Sequence, residues 1–269
     1  MNRFLQLCIV LVATLAFQSA VWANDKRISI TGSSTVAPLI LEIAKRYEKL
    51  YEGSRIDVQT GGSSRGINDV RRGLVDIGMV SRSLKTSEAD LTPHLIALDG
   101  IGVILHKSNT IETLSNQQIV DIFQGKIKNW QELGAQDSPI TVVNKAEGRS
   151  TLELFLKHFA LKNSQIKARV IIGDNQQDIK TVSGNAGAIG YVSIGTAEYE
   201  EERGTSIKRV SISGHQATVN SVADGTYPLA RQLNLVSKGE LPPLAKSFIA
   251  FAQSSKVNDL IEKQFFVSP

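Results

Sequence analysis

The sequence predicts an α/β fold built on parallel strands. Three observations lead there: short strand-like runs alternate with amphipathic helical stretches after residue 24, four of those runs end in loops rich in Gly, Ser, Thr or Arg, and no fixed-period repeat or low-complexity tract interrupts the alternation. At 269 residues the chain is long enough for one large domain or two modest ones, because single hydrophobic cores stop growing at roughly 250 residues. With 42% hydrophobic and 21% charged residues, 21 glycines and 7 prolines, it is neither disordered nor collagen-like.

The first segment reads as a signal peptide: Arg3, an apolar run from Phe4 to Phe17, and small residues ending at Val21-Trp22-Ala23. Cleavage is expected after Ala23. The single cysteine, Cys8, lies inside this segment, so the mature chain has none. A lipoprotein reading of Leu5-Gln6-Leu7-Cys8 fails, because the cysteine precedes most of the apolar run. An exported protein without disulfides suits a bacterial periplasm or cell surface.

Arg27 to Thr31 is the first strand, Gly32-Ser33-Ser34-Thr35 its loop, and Pro38 to Tyr47 an amphipathic helix. The unit repeats as strand Ile56–Gln59, loop Gly61–Gly66 and a short helix from Ile67 to Arg72, then as strand Asp76–Val80 with loop Ser81-Arg82-Ser83. Two apolar strands, Leu95–Leu98 and Ile101–Leu105, lead to a helix capped by Ser115. Strand Ile140–Val143, loop Lys145–Thr151 and helix Leu152–Phe159 form a fourth unit. Val170–Ile172, Gln176–Val182 and Ala188–Ile194 continue the alternation, and the charged stretch Glu198–Arg203 reads as a solvated helix face. Strand Leu229–Val236 and helices at 244–253 and 257–264 close the chain.

The recurring loops carry the chemistry. A helix N-terminus leaves backbone N–H groups unpaired and bears partial positive charge, so an anion placed there satisfies donors that otherwise need water. Ser and Thr add short-armed hydroxyls, and an arginine fork matches two oxygens of a tetrahedral oxyanion. Ser and Thr are also common helix caps, so one such loop says little. Four together, with Arg82 and Arg149 where a cation opposes the helix dipole, favour an anion. Arg65 fits a ligand or a solvent-facing role equally well. In parallel α/β sheets these loops gather at the carboxyl ends of the strands, where ligands bind.

These residues resemble the phosphate-binding proteins of bacterial ABC transporters, within the class of two-lobed periplasmic receptors. The likeness covers nearly the whole mature chain: the GSSTVAPL opening, the GGSSRGI loop, the DIGMVSRSL segment, FQGKIKNW (Phe123–Trp130), GAIGYVSIG (Gly187–Gly195), YPLARQLNLV (Tyr227–Val236) and the terminal FFVSP. The resemblance implies a type II periplasmic binding protein fold, each lobe a mainly parallel sheet flanked by helices, with hinge strands joining them. The expected division is a signal peptide at 1–23, lobe 1 from 24–100 plus 217–269, and lobe 2 from 101–216. It also implies phosphate capture between the lobes and delivery to a membrane ABC permease, by an exported, periplasmic monomer that is not an enzyme.

Carried over by position, the ligand residues are Ser34, Thr35, Ser63, Ser81, Arg82, Arg149, Ser150 and Thr151, with Ser33, Ser64 and Lys145 as weaker candidates. Many relatives have an arginine near Lys145, and others an aspartate at Ser81, which accepts the proton of monohydrogen phosphate. Asp76 is expected to tie loops together from inside the lobe. Trp130 reads as packing, Gly187, Gly190 and Gly195 as close-approach positions, Tyr191 as a rim residue, and Tyr227-Pro228 as the entry to a hinge strand.

Three alternatives remain open on sequence. Gly62-Ser63-Ser64-Arg65-Gly66 fits G-x-S-x-G, which would make Ser64 the nucleophile of an exported hydrolase, although no histidine follows Asp224 to complete a triad in the usual order. A scavenger or sensor module without a permease would use the same anion site, and another tetrahedral oxyanion would fill it. Four scattered histidines give no metal-ligand spacing, no nucleotide or nicotinamide motif is present, and 30 Lys+Arg against 26 Asp+Glu without a basic tract argue against nucleic acid. No cofactor is expected.

Overall fold

The computed structural model describes residues 26–269; the expected signal segment at 1–23, its cleavage site and Cys8 lie outside the described residues. Strands β1 (Arg27–Gly32), β2 (Arg55–Thr60) and β3 (Ile77–Val80) alternate with helices α1 (Ala37–Leu50) and α2 (Ser63–Arg71). Then come the long strand β4 (Thr92–His106), β5 (Thr113–Leu114), α3 (Asn116–Phe123), β6 (Thr141–Lys145), α4 (Ser150–His158), β7 (Val170–Ile172) and α5 (Asn175–Ser183). The chain finishes with β8 (Ala188–Ser193), α6 (Ile194–Glu202), β9 (Ile207–Arg209), β10 (Ser211–Ile212), α7 (Val219–Ala223), β11 (Ala230–Ser237), α8 (Pro243–Ala252) and α9 (Asn258–Lys263).

One mixed sheet runs β2-β1-β3-β11-β4-β8-β6-β7, with β9 also on β4. Each end of it is parallel, β2, β1 and β3 on one side and β8, β6 and β7 on the other. Each lobe is thus mainly parallel, as expected, and the antiparallel pairings fall in the middle, where β11 runs against β3 and β4, and β4 runs against β8 and β9. The reason is topological. The chain leaves the first lobe along β4 and returns along β11, so these neighbours must point in opposite directions.

Two apolar cores lie on either side of that junction. Ile28, Ile30, Leu39, Ile40, Ile43 and Tyr47 pack with Leu233, Leu235, Phe248 and Phe251 in the first. The apolar face of α1 supplies much of it, and Pro38 sits in the first turn, where its missing N–H is harmless. In the second, Val103, Phe123, Trp130, Phe155 and Tyr191 surround one another, joined by Ala217, Val222, Tyr227 and Leu229. This is the two-lobed α/β architecture of periplasmic binding proteins.

Several elements differ from expectation. The two strands around Asp99-Gly100 are one 15-residue strand, β4, because β11 pairs with its first part up to Gly100 and β8 and β9 with its second from Ile101 on, leaving no gap at Asp99-Gly100. Helix α2 starts at Ser63 instead of Ile67. Gly62 turns the chain there with φ +95°, and a Cβ on it would stand 2.7 Å from the Gly148 carbonyl. Ser81-Arg82-Ser83 leads into a single 3₁₀ turn, Thr86–Glu88, rather than a helix. Glu198 and Glu201 of α6 are pinned to Arg209 at 2.6 and 2.9 Å instead of being solvated. Among the described residues, no helix is long and apolar enough to cross a membrane.

Candidate functional site

The carboxyl ends of β1, β2 and β3 face those of β6 and β7 across the junction, and the lobes are shut against each other. The Ser64 N–H donates to the Gly148 carbonyl at 3.2 Å, and Asn175 at the start of α5 donates to Thr35 Oγ1 at 3.2 Å. Ser33, Thr35, Ser63, Ser81, Ser150 and Thr151 are all buried here, and Ser34, Ser64 and Arg149 are half-buried.

The hydroxyls share a pattern of use. Ser33 Oγ accepts from the N–H groups of Thr35 and Val36 at 3.2 and 3.4 Å, capping the entry to α1. Ser63 Oγ accepts from the Ser81 N–H at 3.2 Å, tying the second loop to the third. Thr35 Oγ1 accepts from Asn175 and, at 3.3 Å, from Arg231; Thr151 Oγ1 accepts from Arg231 at 2.9 Å. A hydroxyl whose lone pairs are engaged by protein donors has its own proton left to give. Four hydroxyls from both lobes are thereby set as donors, the polarity an anion requires.

At the start of α4 Arg149 Nε and Ser150 Oγ are buried with no partner at all, whereas Glu153 Oε2 and Arg82 Nε, which also lack a hydrogen bond, face each other as an ion pair at 3.2 Å. The Arg149 side chain lies over Gly62 of the first lobe, where a Cβ would meet its Cδ at 2.9 Å, and beside Gly173 of the second. Buried polar groups are normally hydrogen-bonded, so these orphans mark the place where a ligand's oxygens belong.

The other cations nearby are already neutralised. Arg82, expected as an anion fork, instead forms a buried bidentate pair with Glu88 at 2.7 and 2.8 Å and donates to the Ser83 carbonyl at 3.0 Å. The absence of a helix after Ser81 explains the difference: the 3₁₀ turn brings Glu88 back onto the guanidinium. Burial, the largest single influence, would raise the Glu88 carboxyl, but the hydrogen bonds from Arg82 and from the Lys85 N–H, together with the charges of both residues, hold it below its ordinary value. Lys145 is also not exposed to the site. It is buried against Asp178 at 2.9 Å, where burial pulls the ammonium below its ordinary value and the Asp178 charge opposes that pull. Arg65 turns outward to Asp69 at 3.1 Å. Asp76 accepts from the Ser29 N–H at 2.8 Å, inside the lobe and apart from the site.

Sequence reasoning missed Arg231, Asp99 and Asn175. Arg231 of β11 and Asp99 of β4 are opposite one another in the ladder, with guanidinium–carboxylate distances of 2.7 and 3.0 Å. The available signal was one cation and one anion, each in an otherwise apolar strand pattern. Asn175 had no such signal. Tyr191, expected at the rim, is fully buried: it stacks on Phe155 at 4.0 Å and its hydroxyl donates to Asn144 at 2.6 Å. Trp130 is core, its indole N–H donating to the Gly187 carbonyl at 3.0 Å, and a Cβ at Gly190 would collide with Asp178.

The G-x-S-x-G serine has no histidine against it: Ser64 Oγ faces Glu153 at 3.4 Å, while His94 bonds Ser237 and His106 bonds Ser108. No group of three or more His, Cys, Asp or Glu able to hold a metal occurs among the described residues.

A family profile described as a PBP superfamily domain matches residues 18–256. The phosphate-binding protein PstS of Bacillus subtilis is 30% identical over 239 residues, spanning 87% of this chain and 77% of that protein. A crystal structure from Clostridium perfringens, described as a phosphate ABC transporter substrate-binding protein with bound phosphate, superposes with a TM-score of 0.84 at 34% identity and covers 90% of this chain and 99% of its own. An ABC-type phosphate transport receptor from Vibrio cholerae superposes with a TM-score of 0.74 at 28% identity over 90% and 100% of the two chains.

Proposed function

The chain belongs to the PBP superfamily, among its PstS-like phosphate-binding receptors, and from that membership we propose that it captures inorganic phosphate between its lobes and passes it to a membrane ABC permease. The observation that carries this reading is the pair of orphaned buried groups, Arg149 Nε and Ser150 Oγ, surrounded by hydroxyls whose protons are free to donate.

The ligand set we assign is Ser34, Thr35, Ser63 and Ser81 from the first lobe and Arg149, Ser150 and Thr151 from the second, with Ser33 shaping the first loop. Arg231 and Asn175 hold the threonines in place. Arg149 supplies the charge without a carboxylate partner, and hydroxyls and helix N-termini supply the remaining donors, so a dehydrated oxyanion exchanges water for fixed dipoles. Because the ligand touches loops of both lobes only when they meet, binding favours closure. No bond is made or broken. Export to the periplasm follows from the leader expected at 1–23. We place the return to the first lobe at the start of β11, later than the expected residue 217, on the support of Ala217, Val219, Val222, Tyr227 and Leu229, which pack in the second core.

Isothermal titration of the mature chain, freed of bound anion, with phosphate, sulfate, molybdate and arsenate in separate runs tests the reading. Tight phosphate binding with little sulfate response supports it; equal affinities make the chain a general oxyanion receptor, and no binding at all overturns it.

A further inference from the structure

Glu153 lies one helical turn beyond Ser150 on α4, so the helix that offers its N-terminus to the anion also presents a carboxylate to the opposite lobe. That carboxylate meets three residues of lobe 1. Its Oε2 is 2.6 Å from Lys85 Nζ and 3.2 Å from Arg82 Nε, and its Oε1 lies 3.4 Å from Ser64 Oγ. Ser64 belongs to the second ligand loop, Arg82 to the third, and Lys85 follows directly after it. One side chain of lobe 2 thus grips two of the three ligand loops of lobe 1.

Glu153 is not needed to balance Arg82, which is already matched by the bidentate carboxylate of Glu88 within its own lobe. Nor does it touch the orphaned groups at Arg149 and Ser150. Its partners travel with lobe 1 and Glu153 with α4, so these contacts exist only when the lobes are shut, and a contact made in one state alone shifts the equilibrium toward that state. The Arg82 side is buried, but Lys85 remains half in solvent and an interlobe groove of about 660 Å³ runs alongside, lined by Arg82, Lys85, Glu153, Lys157 and Arg231. The contacts of Glu153 Oε2 are ion pairs without a completed hydrogen bond, and the groove opens them to water and salt, so they favour closure modestly and break readily.

We propose that Glu153 is a positioning residue for closure: an interlobe latch that never contacts the ligand and sets how long the closed, loaded form persists. The proposal rests on the two-lobed phosphate-receptor reading for its ligand. Its physical consequence is kinetic, because the latch forms after capture and must break before release.

The test compares wild type, Glu153→Gln, Lys85→Gln and the double variant. Phosphate release is followed by stopped flow, and the closed fraction by energy transfer between labels on the two lobes, with and without phosphate and at low and high salt. The expected result is release about three- to tenfold faster in Glu153→Gln, with little change in capture rate. The salt dependence should weaken, and the double variant should release more slowly than independent effects would predict. Thermal melts identify any variant that has lost its fold; Glu153→Asp, which keeps the charge, then serves as the second variant and should fall between wild type and Glu153→Gln. A properly folded Glu153→Gln that releases phosphate at the wild-type rate overturns the latch. If wild type fails to bind phosphate, the phosphate reading falls separately, and the latch is then judged on the ligand-free closed fraction, where an unchanged value in Glu153→Gln overturns it.

Discussion

Arg231 and Asp99 occupy facing positions in the antiparallel ladder of the two strands that connect the lobes, and the guanidinium edge not held by Asp99 reaches Thr35 in one lobe and Thr151 in the other. A single hinge side chain thereby joins both ligand-loop threonines, and it is held in that pose by a buried carboxylate. Alignment of the site's two halves comes from this pair, whose charges cancel, while Arg149 supplies the charge.

Arg231→Lys keeps a cation beside Asp99 but cannot present several donors in a fixed plane. Its phosphate Kd is expected to rise by about tenfold with the fold retained. Arg231→Met leaves Asp99 buried without a counter-charge and should lose about 3–5 kcal/mol in chemical denaturation. Titration and denaturation of both variants separate the two roles; equal affinity in Arg231→Lys would remove the hinge arginine from the site.

Arg149→Ala removes the site's unpaired guanidinium. Calorimetry should show phosphate affinity reduced by about 10- to 100-fold, the range of charge-assisted hydrogen bonds in a dry site, with thermal stability little changed because no internal partner is lost.

Lys145→Met leaves the Asp178 carboxylate fully buried and unpaired, and a loss of about 3–5 kcal/mol is expected in urea denaturation. Lys145→Met with Asp178→Leu removes both charges and should recover most of it, since an ion pair replaced by apolar groups is often neutral or better. If the single and double variants are equally unstable, packing and not charge explains the loss.

Glu88 makes stability depend on acid. Its folded pKa is depressed, so its contribution is fully present above the ordinary value of 4.5 and is lost as pH falls through the folded value. Thermal melts between about pH 3 and 6 should show a declining acid limb. In Glu88→Gln the melting temperature should be lower at neutral pH and that limb flatter; an identical limb would assign the acid sensitivity to other carboxylates.

Trp130→Ala empties the second core and removes one of the two donors to the Gly187 carbonyl, which keeps the Thr141 N–H, for an expected cost of about 3–5 kcal/mol by denaturation. Trp130→Phe keeps most of the volume and should cost less.

The sequence alone determined the order of strands and helices, the recurrence of Ser- and Thr-bearing loops at strand ends, and the packing role of Trp130, because periodicity and loop chemistry are local properties of the chain. It singled out Ser63, Ser150 and Thr151 for the same reason, and they are buried at the first residues of α2 and α4. Tertiary structure decided what locality cannot reach. Arg82 looked like an anion fork until the 3₁₀ turn folded Glu88 onto it, and Lys145 stood as a weaker ligand candidate until Asp178, 33 residues on, enclosed it. Arg231 lies 132 residues from Asp99 and 80 from Thr151, and only the opposite directions of the outgoing and returning strands bring the three together. A charge's role depends on which groups surround it, and those groups are set by sheet register and lobe closure, neither of which is written in any one stretch of sequence.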